Sequence, residues 1–286
     1  MKYTFMAAYE QEFSVKRMCD VLGVKRSGYY AWKKRPLSPR AKANEDLLEQ
    51  IREAFEVCRK VYGSPRIWRY LVRKGRSCGR HRVARLMRQA HLVAKRAYRR
   101  HPQTTQPYPG ARTAPNLLNQ EFSASRPNEK WVGDITYIDT AEGWLYLASI
   151  LDLYSRRVVG WSMADCMDVS LVENAWKMAV VNRQPGHNLL HHTDRGSQYT
   201  SETYRELLAT KQCMVSMSRT GNCYDNAVME SFHATLKGEC AFKQFKTKAE
   251  AKTTLFEFIE VWYNRQRLHS ALDYHSPLEF EQSFRH

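Results

Sequence analysis

The sequence predicts an α/β fold in its second half, a mixed five-stranded sheet with flanking helices, preceded by a basic all-α region. Three apolar segments between residues 131 and 163 alternate in the manner of strands and predict an antiparallel meander. From residue 168 onward helical and strand patterns alternate, which adds two strands and covers the sheet with helices. Lys and Arg outnumber Asp and Glu by 19 in residues 1–126, whereas residues 127–286 carry a net charge of −3.

This charge asymmetry predicts a front half that binds a polyanion and a near-neutral back half. Nucleic acid is favoured over a membrane surface, because no basic segment carries the broad apolar face of an interfacial helix. No apolar run approaches the roughly 20 residues of a membrane span, and the N-terminus lacks the apolar run of a signal peptide. The seven cysteines are scattered without a Cys-x-x-Cys pair, as expected in a reducing cytoplasm.

Residues 1–40 contain a helix-turn-helix-like segment. Ser14 is predicted to cap a first helix, and Gly23 supplies the turn. The apolar positions of that helix are Val15, Met18, Val21 and Leu22. The second helix is predicted to turn five side chains outward: Lys25, Arg26, Ser27, Tyr29 and Tyr30. Lys25 and Arg26 favour a DNA contact over a plain αα-hairpin, which the pattern also fits.

Residues 41–100 predict a basic helical DNA-binding domain. A long helix over residues 42–60 is followed by a helix pair, which starts with Ser64 as N-cap and Pro65 in the first turn. The arginines expected on this pair are Arg66, Arg69, Arg73, Arg80, Arg82, Arg85 and Arg88. Residues 51–100 hold sixteen Lys and Arg against two acids, and the arginine fork binds phosphate bidentately. Nucleic-acid contact is therefore favoured over a solvated arginine face.

Residues 101–126 are polar and contain several prolines, so they predict an extended linker that ends at Arg126. Residues 127–286 then form the predicted catalytic core with a C-terminal helical extension. Its strands are expected at residues 131–140, 144–153, 157–163, 189–192 and 213–216. Helices are expected at residues 168–181 and 201–211, before a last helix that starts near residue 226.

Two acids are predicted to meet on the sheet. Asp134 lies in the middle of the first strand, and Asp194 directly follows the fourth, where the carboxyl ends of strands collect ligands. The first and fourth strands can be neighbours in a sheet of this order. The two carboxylates would then lie side by side.

A third acid, Glu230, lies on the helix that Asp225 is predicted to cap. His233 and Lys237 follow it at i+3 and i+7, on the same face of that helix. For these three residues taken alone, an ordinary solvated helix face is the alternative interpretation. His233 itself could orient a water, touch phosphate or simply be exposed.

Three converging carboxylates repel one another unless a cation intervenes. Hard oxygen ligands favour Mg²⁺, with Mn²⁺ as an alternative, over zinc. Two such ions would activate the attacking oxygen and stabilise the leaving oxygen of a phosphoryl displacement. The adjacent His191 and His192 fall on opposite faces of a strand and do not form a zinc site. Arg265, Arg267 and His269 fit DNA contact and a solvated turn equally well.

Five segments carry a resemblance to a known family. They are WVGDITYI, LYLASILDLYSRRVVGW, LLHHTDRGSQYTS, TGNCYDNAVMESFHATLKGE and WYNRQRLHSALDYHSP. In order and spacing the chain resembles, from Ser14 to Phe280, the second-reading-frame catalytic protein of bacterial insertion-sequence transposases with a retroviral-integrase-like core. Thirty-five residues separate Asp194 from Glu230, the spacing of that family's acid triad, and Lys237 stands where the family carries a basic residue.

The resemblance implies a ribonuclease-H-like core that cleaves DNA at the ends of the element and joins them to a target by 3′-hydroxyl attack. It implies Asp134, Asp194 and Glu230 as catalytic metal ligands and Lys237 as a DNA contact. The implied partners are DNA, further copies of the chain on DNA, and an upstream-frame recognition protein. The implied location is the bacterial cytoplasm, in association with the nucleoid.

Two other functions fit the same residues. A catalytically inactive DNA-binding regulator would keep the basic helices but not the chemistry. A nonspecific Mg²⁺-dependent nuclease of the same fold would cleave DNA without the element's ends. The intact acid triad argues against the first, and the long basic region argues against the second.

Overall fold

The computed structural model describes residues 1–36, 38–95, 113–220, 222–241 and 244–283. The helices in these ranges are α1 (Lys2–Ala8), α2 (Val15–Leu22), α3 (Arg26–Lys34), α4 (Pro39–Val57), α5 (Ser64–Arg73), α6 (Arg80–Gln89), α7 (Val169–Arg183), α8 (Ser197–Thr200), α9 (Glu202–Ala209), α10 (Ala227–Glu239), α11 (Lys248–Glu257) and α12 (Pro277–Ser283). The strands are β1 (Lys130–Thr140), β2 (Gly143–Asp152), β3 (Val158–Ala164), β4 (Leu190–Thr193) and β5 (Met214–Met217). Within these ranges no helix has the length and apolar character needed to cross a membrane.

The five strands form one mixed sheet in the order β3-β2-β1-β4-β5. The first three strands pair antiparallel, and β4 lies parallel to β1 on one side and to β5 on the other. This confirms the predicted meander and the predicted neighbourhood of the first and fourth strands. Val132 pairs with His192, so continuing that register by two residues brings Asp134 beside Asp194.

One face of the sheet packs against α7 and α9 around an apolar core. Trp131 and Trp176 meet edge to face, with ring centroids 5.6 Å apart. The side chain of Asp168 caps α7 by accepting from the backbone N–H of Leu171. Gly160 on β3 lets α7 approach closely, since a Cβ at this position would lie 2.6 Å from the Cβ of Ala179.

The other face of the sheet shares its core with the basic helices α4, α5 and α6. Buried residues of these helices, including Ile51 and Ile67, belong to the same cluster as Phe232 and Phe258 on the catalytic side. The backbone N–H of Leu268 donates to the hydroxyl of Tyr62 at 2.6 Å. The basic helical unit is therefore docked on the sheet domain. The predicted helix 42–60 lies at Pro39–Val57, and Gly63 rather than Ser64 is the N-cap of α5.

The first three helices pack around a small core of their own. Ser14 caps α2 as predicted, and Gly23 ends it in the left-handed conformation. The prediction that Tyr29 faces outward is wrong, because its side chain is fully buried and donates to Glu10 Oε2 at 2.6 Å. Val21, assigned to the apolar face, is 79% exposed. Helix α1 was not predicted, and it provides the surface that buries Tyr29.

Residues 113–126, the described part of the predicted linker, pass β5 between Pro115 and Leu118 and then turn at residues 118–120, and we call them the strap. The carbonyl of Pro115 accepts from the backbone N–H of Met217 at 3.3 Å. The backbone N–H groups of Leu117 and Leu118 both donate to Ser216 Oγ, and Leu118 is buried. The strap is thus attached to the sheet domain. Residues 101–112 of the predicted linker lie outside the described residues.

Candidate active site

Asp134 lies midway along the central strand β1, and its side chain is only 19% exposed. Oδ1 accepts from the backbone N–H of Ile135 at 2.9 Å. Burial raises the pKa of Asp134 well above its usual range, and the nearby charges of Asp194 and Glu230 raise it further. The Ile135 N–H and the charge of Lys237 act in the opposite direction. The carboxylate therefore lies where a negative charge is poorly solvated.

Asp194 follows β4, so its position comes from the parallel pairing of β4 with β1. Its Oδ1 accepts from the backbone N–H of Gly196 at 2.9 Å, which orients the carboxylate. The charges of Asp134 and Asp194 both raise the pKa of Tyr199, after burial as the main cause. The Tyr199 side chain is 3% exposed, so it forms an apolar wall beside the two aspartates. The sequence reasoning missed Tyr199, because no local pattern connects it with Asp194.

Glu230 lies in the first turn of α10 and is exposed. The prediction that Asp225 caps this helix is wrong. Asn226 is the N-cap position, and Asp225 belongs to the preceding 3-10 turn, Cys223–Asn226, with its side chain fully buried. Glu230 lies one turn before His233, whose Nδ1 is 3.6 Å from Asp134 Oδ2, so α10 brings the third acid to the neighbourhood of the first.

His233 is buried beneath Glu230, with 8% of the residue exposed. Its Nε2 lies 3.3 Å from Ser149 Oγ on β2, and its Nδ1 lies 3.6 Å from Asp134 Oδ2. Burial, and then the charge of Lys237, lower the pKa of His233 to about 3. The alternative that His233 is simply exposed is therefore wrong. The neutral ring packs α10 onto the two central strands and contacts a catalytic candidate.

Lys237 lies two turns beyond Glu230, with Nζ 4.4 Å from the ring centroid of Tyr137. Burial lowers its pKa, and the charge of Asp134 opposes this shift. A lysine ammonium group therefore lies close enough to interact with the charge of Asp134. The predicted contact of Lys237 with DNA stays a prediction.

The described residues hold no group of three or more His, Cys, Asp and Glu side chains arranged to bind a metal ion. The donor chemistry nevertheless fits a hard divalent cation, since all three side chains are carboxylates. A bound cation would also offset the repulsion that raises the pKa of Asp134.

Comparison with known proteins finds relatives that cover nearly the whole chain. Residues 124–223 and 211–277 match models of the integrase core domain, and residues 42–100 match an HTH-like domain. Transposase InsF for insertion sequence IS3A of Escherichia coli is 42% identical over 284 residues, which cover 98% of each chain. An uncharacterized 31 kDa protein of insertion element IS600 from Shigella sonnei is 43% identical, covering 93% of this chain and 98% of that one.

The chain belongs to the IS3 transposase family. It is thus a DNA transposase, a polynucleotidyl transferase with an integrase-type, ribonuclease-H-like core. Family membership points to a divalent metal. Among solved structures, a simian T-cell lymphotropic virus intasome matches with a TM-score of 0.47 at 16% identity, covering 73% of this chain and 69% of that one. That likeness is too weak to support any functional inference.

Several arginines predicted to contact DNA have partners within the transposase. Arg66 lies over the ring of Tyr62, 5.4 Å from its centroid, and Arg69 lies between Trp68 and Tyr274. Arg73 donates to the carbonyl of Tyr274 and to Glu279. Arg82 donates to Asn44. The remaining basic candidates are exposed: Lys25, Arg26, Arg80, Arg85 and Arg88. For all of these residues a DNA contact stays a prediction.

At the C-terminal end Arg267 and His269 have partners within the protein, whereas Arg265 is exposed, donates to the carbonyl of Glu260 at 3.1 Å, and keeps both of its predicted alternatives. Arg267 is 5% exposed and donates to both carboxylate oxygens of Glu239, and His269 lies 3.4 Å from it. Neither the DNA contact nor the solvated turn considered for Arg267 applies. His191 and His192 point to opposite faces, where they contact Tyr204 and the pair Ser216 and Ser218 respectively.

Proposed function

We propose that this transposase cleaves DNA at the ends of its element and joins those ends to a target through a metal site formed by Asp134, Asp194 and Glu230. The observation that supports this assignment is the parallel pairing of β1 with β4. It places two acids from distant segments side by side, with the third on the helix that packs over them. The number of ions, two by our proposal, follows from the need to stabilise both the attacking and the leaving oxygen.

The proposed reaction has two displacements at phosphorus. In cleavage a water oxygen forms a bond to the phosphorus at the element's end, and the bond to the 3′-oxygen breaks so that a 3′-hydroxyl is released. In strand transfer that 3′-hydroxyl oxygen forms a bond to a target phosphorus, and the target's own 3′-oxygen leaves and takes up a proton. Cleavage is a hydrolysis, in which a water oxygen replaces the 3′-oxygen on phosphorus and the 3′-oxygen takes up a proton, whereas strand transfer exchanges one ester oxygen for another. Neither step needs an external energy source.

The side chains of the site hold and orient the reacting groups. Bound divalent cations would supply Lewis-acid activation of the attacking oxygen. Asp134 is oriented by the Ile135 N–H and by neutral His233, and Asp194 by the Gly196 N–H. Lys237 faces the same side and would neutralise part of the phosphate charge. We propose that DNA and metal together draw Glu230 from its exposed position into the site.

The proposed partners follow from the charge and the family. DNA would bind the exposed arginines of α6, which belong to the strongly basic half of the chain. Transposition joins two element ends, so we propose that copies of the chain assemble on DNA. We also propose an upstream-frame recognition protein as a partner, and nucleoid association in the cell.

The test uses Asp194→Asn, Asp134→Asn and Glu230→Gln in the full chain, joined to its upstream partner if end binding needs it. Purified protein is incubated with Mg²⁺ and DNA carrying the element's ends. Each variant is expected to lose about 10³-fold or more in cleavage and joining, since each loses a ligand worth several kcal/mol in the transition state. The matched control is Asp165→Asn, a surface acid whose side chain is 55% exposed, which should keep wild-type activity.

The alternatives give different results in the same assay. A catalytically inactive regulator would bind DNA in a salt-sensitive manner without cleavage, and Glu230→Gln would change nothing. A nonspecific nuclease would degrade DNA that lacks the element's ends. Full activity of Asp194→Asn would refute the metal-site assignment itself.

A further inference from the structure

Asp225 is the most heavily hydrogen-bonded acid among the residues described. Its side chain is fully buried, and its two oxygens accept five hydrogen bonds. Three come from Arg219, through the backbone N–H, Nε and Nη2, at 2.8 to 3.0 Å. The others come from the side-chain amides of Asn116 and Gln120, both at 2.9 Å. The carboxylate therefore binds two segments that are about a hundred residues apart in sequence.

The first of these segments is the strap. Asn116 and Gln120 lie on it, and their amides contact Asp225 where the strap passes β5. The strap is itself fixed to β5 by Ser216, which accepts from the backbone of Leu117 and Leu118. It also continues directly into β1, the strand that carries Asp134. The strap thus has a defined position relative to the two aspartates.

The second segment is the loop that leads to Glu230. It leaves β5 at Met217, passes Arg219, and enters a 3-10 turn that runs straight into α10. Asp225 lies in that turn, and Glu230 follows five residues later in the first turn of α10. No flexible residue such as glycine lies between them. Any movement of Asp225 is therefore passed on to the start of α10.

We propose that Asp225 is a positioning residue, which sets where Glu230 stands relative to Asp134 and Asp194 by fastening the start of α10 to the strap. Asp225 touches neither DNA nor metal in this role. It acts through Glu230, whose approach to the aspartates needs a fixed starting point because catalytic geometry tolerates little displacement. The inference rests on the proposed function, since it assigns Glu230 to the reaction.

Two variants test the role from opposite sides of the contact. Asp225→Asn keeps the shape of the side chain and removes its charge. The double variant Asn116→Ala with Gln120→Ala removes the strap contact and leaves the Arg219 pair intact, so it keeps the test valid if Asp225→Asn fails to fold. The matched control is Asp152→Asn. Asp152 is also fully buried, accepts from the backbone of Asn128 and Tyr154, and pairs with Arg183.

The readouts separate positioning from folding. In full-length protein both test variants should slow strand transfer by about 10–100-fold, the size of effect that a small misplacement of reacting groups produces. They should raise the Mg²⁺ concentration needed for half-maximal rate, with the Kd for element-end DNA within about threefold of wild type. Amide hydrogen exchange should accelerate in the first turn of α10 in metal-free protein. Asp152→Asn should leave all of these unchanged, even if its Tm falls.

Three results would overturn the inference. The first is a wild-type rate and wild-type exchange in both test variants. The second is loss of activity in Asp225→Asn with wild-type behaviour in the strap variant, because the strap would then not position Glu230. The third is slower strand transfer and faster hydrogen exchange in Asp152→Asn as well, which would show a general effect of disturbing a buried acid. If the wild-type protein itself does not join DNA, the proposed function is wrong. The hydrogen-exchange measurement then still tests whether Asp225 and the strap hold the start of α10.

Discussion

At the scale of single residues, Asp134 carries a charge where the fold disfavours one. It is 19% exposed, and its strongest interactions are burial and the neighbouring charge of Asp194, both of which raise its pKa. A raised pKa means that the folded state prefers the protonated form. The stability that this preference provides is present at low pH and is lost as the pH rises through the folded-state pKa. At neutral pH the metal-free protein is therefore less stable than it would be if Asp134 kept its ordinary pKa.

Asp134→Asn should accordingly stabilise the metal-free protein while it abolishes catalysis. The neutral amide removes the buried charge and its repulsion with Asp194, so the expected gain is about 1 kcal/mol or more, roughly 2–4 °C in Tm. Thermal unfolding at pH 7 without divalent metal measures it. Added Mg²⁺ should raise the Tm of the wild type and have less effect on the variant.

Asp165→Asn is again the control. It should change neither the Tm without metal nor the response of the Tm to Mg²⁺, because that surface acid is well solvated. A lower Tm for Asp134→Asn, together with an unchanged response to Mg²⁺, would contradict the account of Asp134 as a strained metal ligand.

The residues found from sequence and those missed differ in one physical respect. Asp134 and Asp194 were placed from strand periodicity and sheet order, which local patterns determine. The partners of His233 and Asp225 lie 84 and 109 residues away, at Ser149 and Asn116. No local pattern specifies such contacts. The spacing on α10 correctly placed His233 near Glu230, but could not tell that β2 buries it.

At the scale of elements, α10 is held at both of its ends. Asp225 fastens its start, and Glu239 fastens its last turn. The Glu239 carboxylate accepts from Nε and Nη2 of Arg267 and from Nε1 of Trp262. Arg66 on α5 lies 3.8 Å away. Helix α10 therefore contacts both the C-terminal extension and the basic helical unit.

Glu239→Gln should be strongly destabilising, since it leaves the buried Arg267 guanidinium without a counter-charge. Removal of one partner of a buried pair costs about 3–5 kcal/mol. Urea unfolding at pH 7 measures the change. Glu257→Gln is the matched control, because Glu257 also pairs with an arginine, Arg59, but its side chain is 58% exposed. That pair should contribute about 1 kcal/mol or less.

An equal decrease in the free energy of unfolding for Glu239→Gln and Glu257→Gln would show that burial of the Glu239–Arg267 pair does not increase its contribution to stability. A loss confined to Glu239→Gln would support the attachment of α10 at its C-terminal end.

Secondary structure was predicted well where a single element buries a regular face. All five strands begin and end within about two residues of their predicted limits. Helix α1 was missed because its burial depends on one residue, Met6, and on partners in α2 and α3. Tyr29 was placed outward for the same reason: α1 is what buries it. Arg267 was interpreted as either a DNA contact or part of a solvated turn, because nothing near it in sequence reveals its partner Glu239.

At the scale of the whole molecule, the basic half and the catalytic half share one apolar core. Arg73 and Arg59 reach across to Glu279 and Glu257, so part of the positive charge is used within the protein. The exposed arginines of α6 lie on the same docked unit. DNA bound there would hold a fixed position relative to the sheet.

Replacement of Arg80, Arg85 and Arg88 by alanine should weaken DNA binding and its dependence on salt. Each lost phosphate contact should reduce the slope of log Kd against log salt by about 0.9, so the triple variant should lose up to about 2.7. Titrations of labelled duplex between low and moderate salt measure the slope. Arg73→Ala is the control, since Arg73 binds Tyr274 and Glu279.

The control should lower stability and leave the slope near its wild-type value. An unchanged slope in the triple variant would exclude α6 as the phosphate-binding helix. A reduced slope in Arg73→Ala would show that its internal contacts give way to DNA.

The hydrogen bond between Tyr62 and Leu268 also bears on how the protein is made. These partners are 206 residues apart. A ribosome adding about 5–20 residues per second needs roughly 10–40 s to cover that distance. During this interval the apolar side of α4 and α5 lacks its C-terminal partners in the shared core, among them Trp262 and Leu268. Packing of the basic helices is therefore completed only after Leu268 has been synthesised, and a chain that stops before this residue would leave part of that side exposed to aggregation.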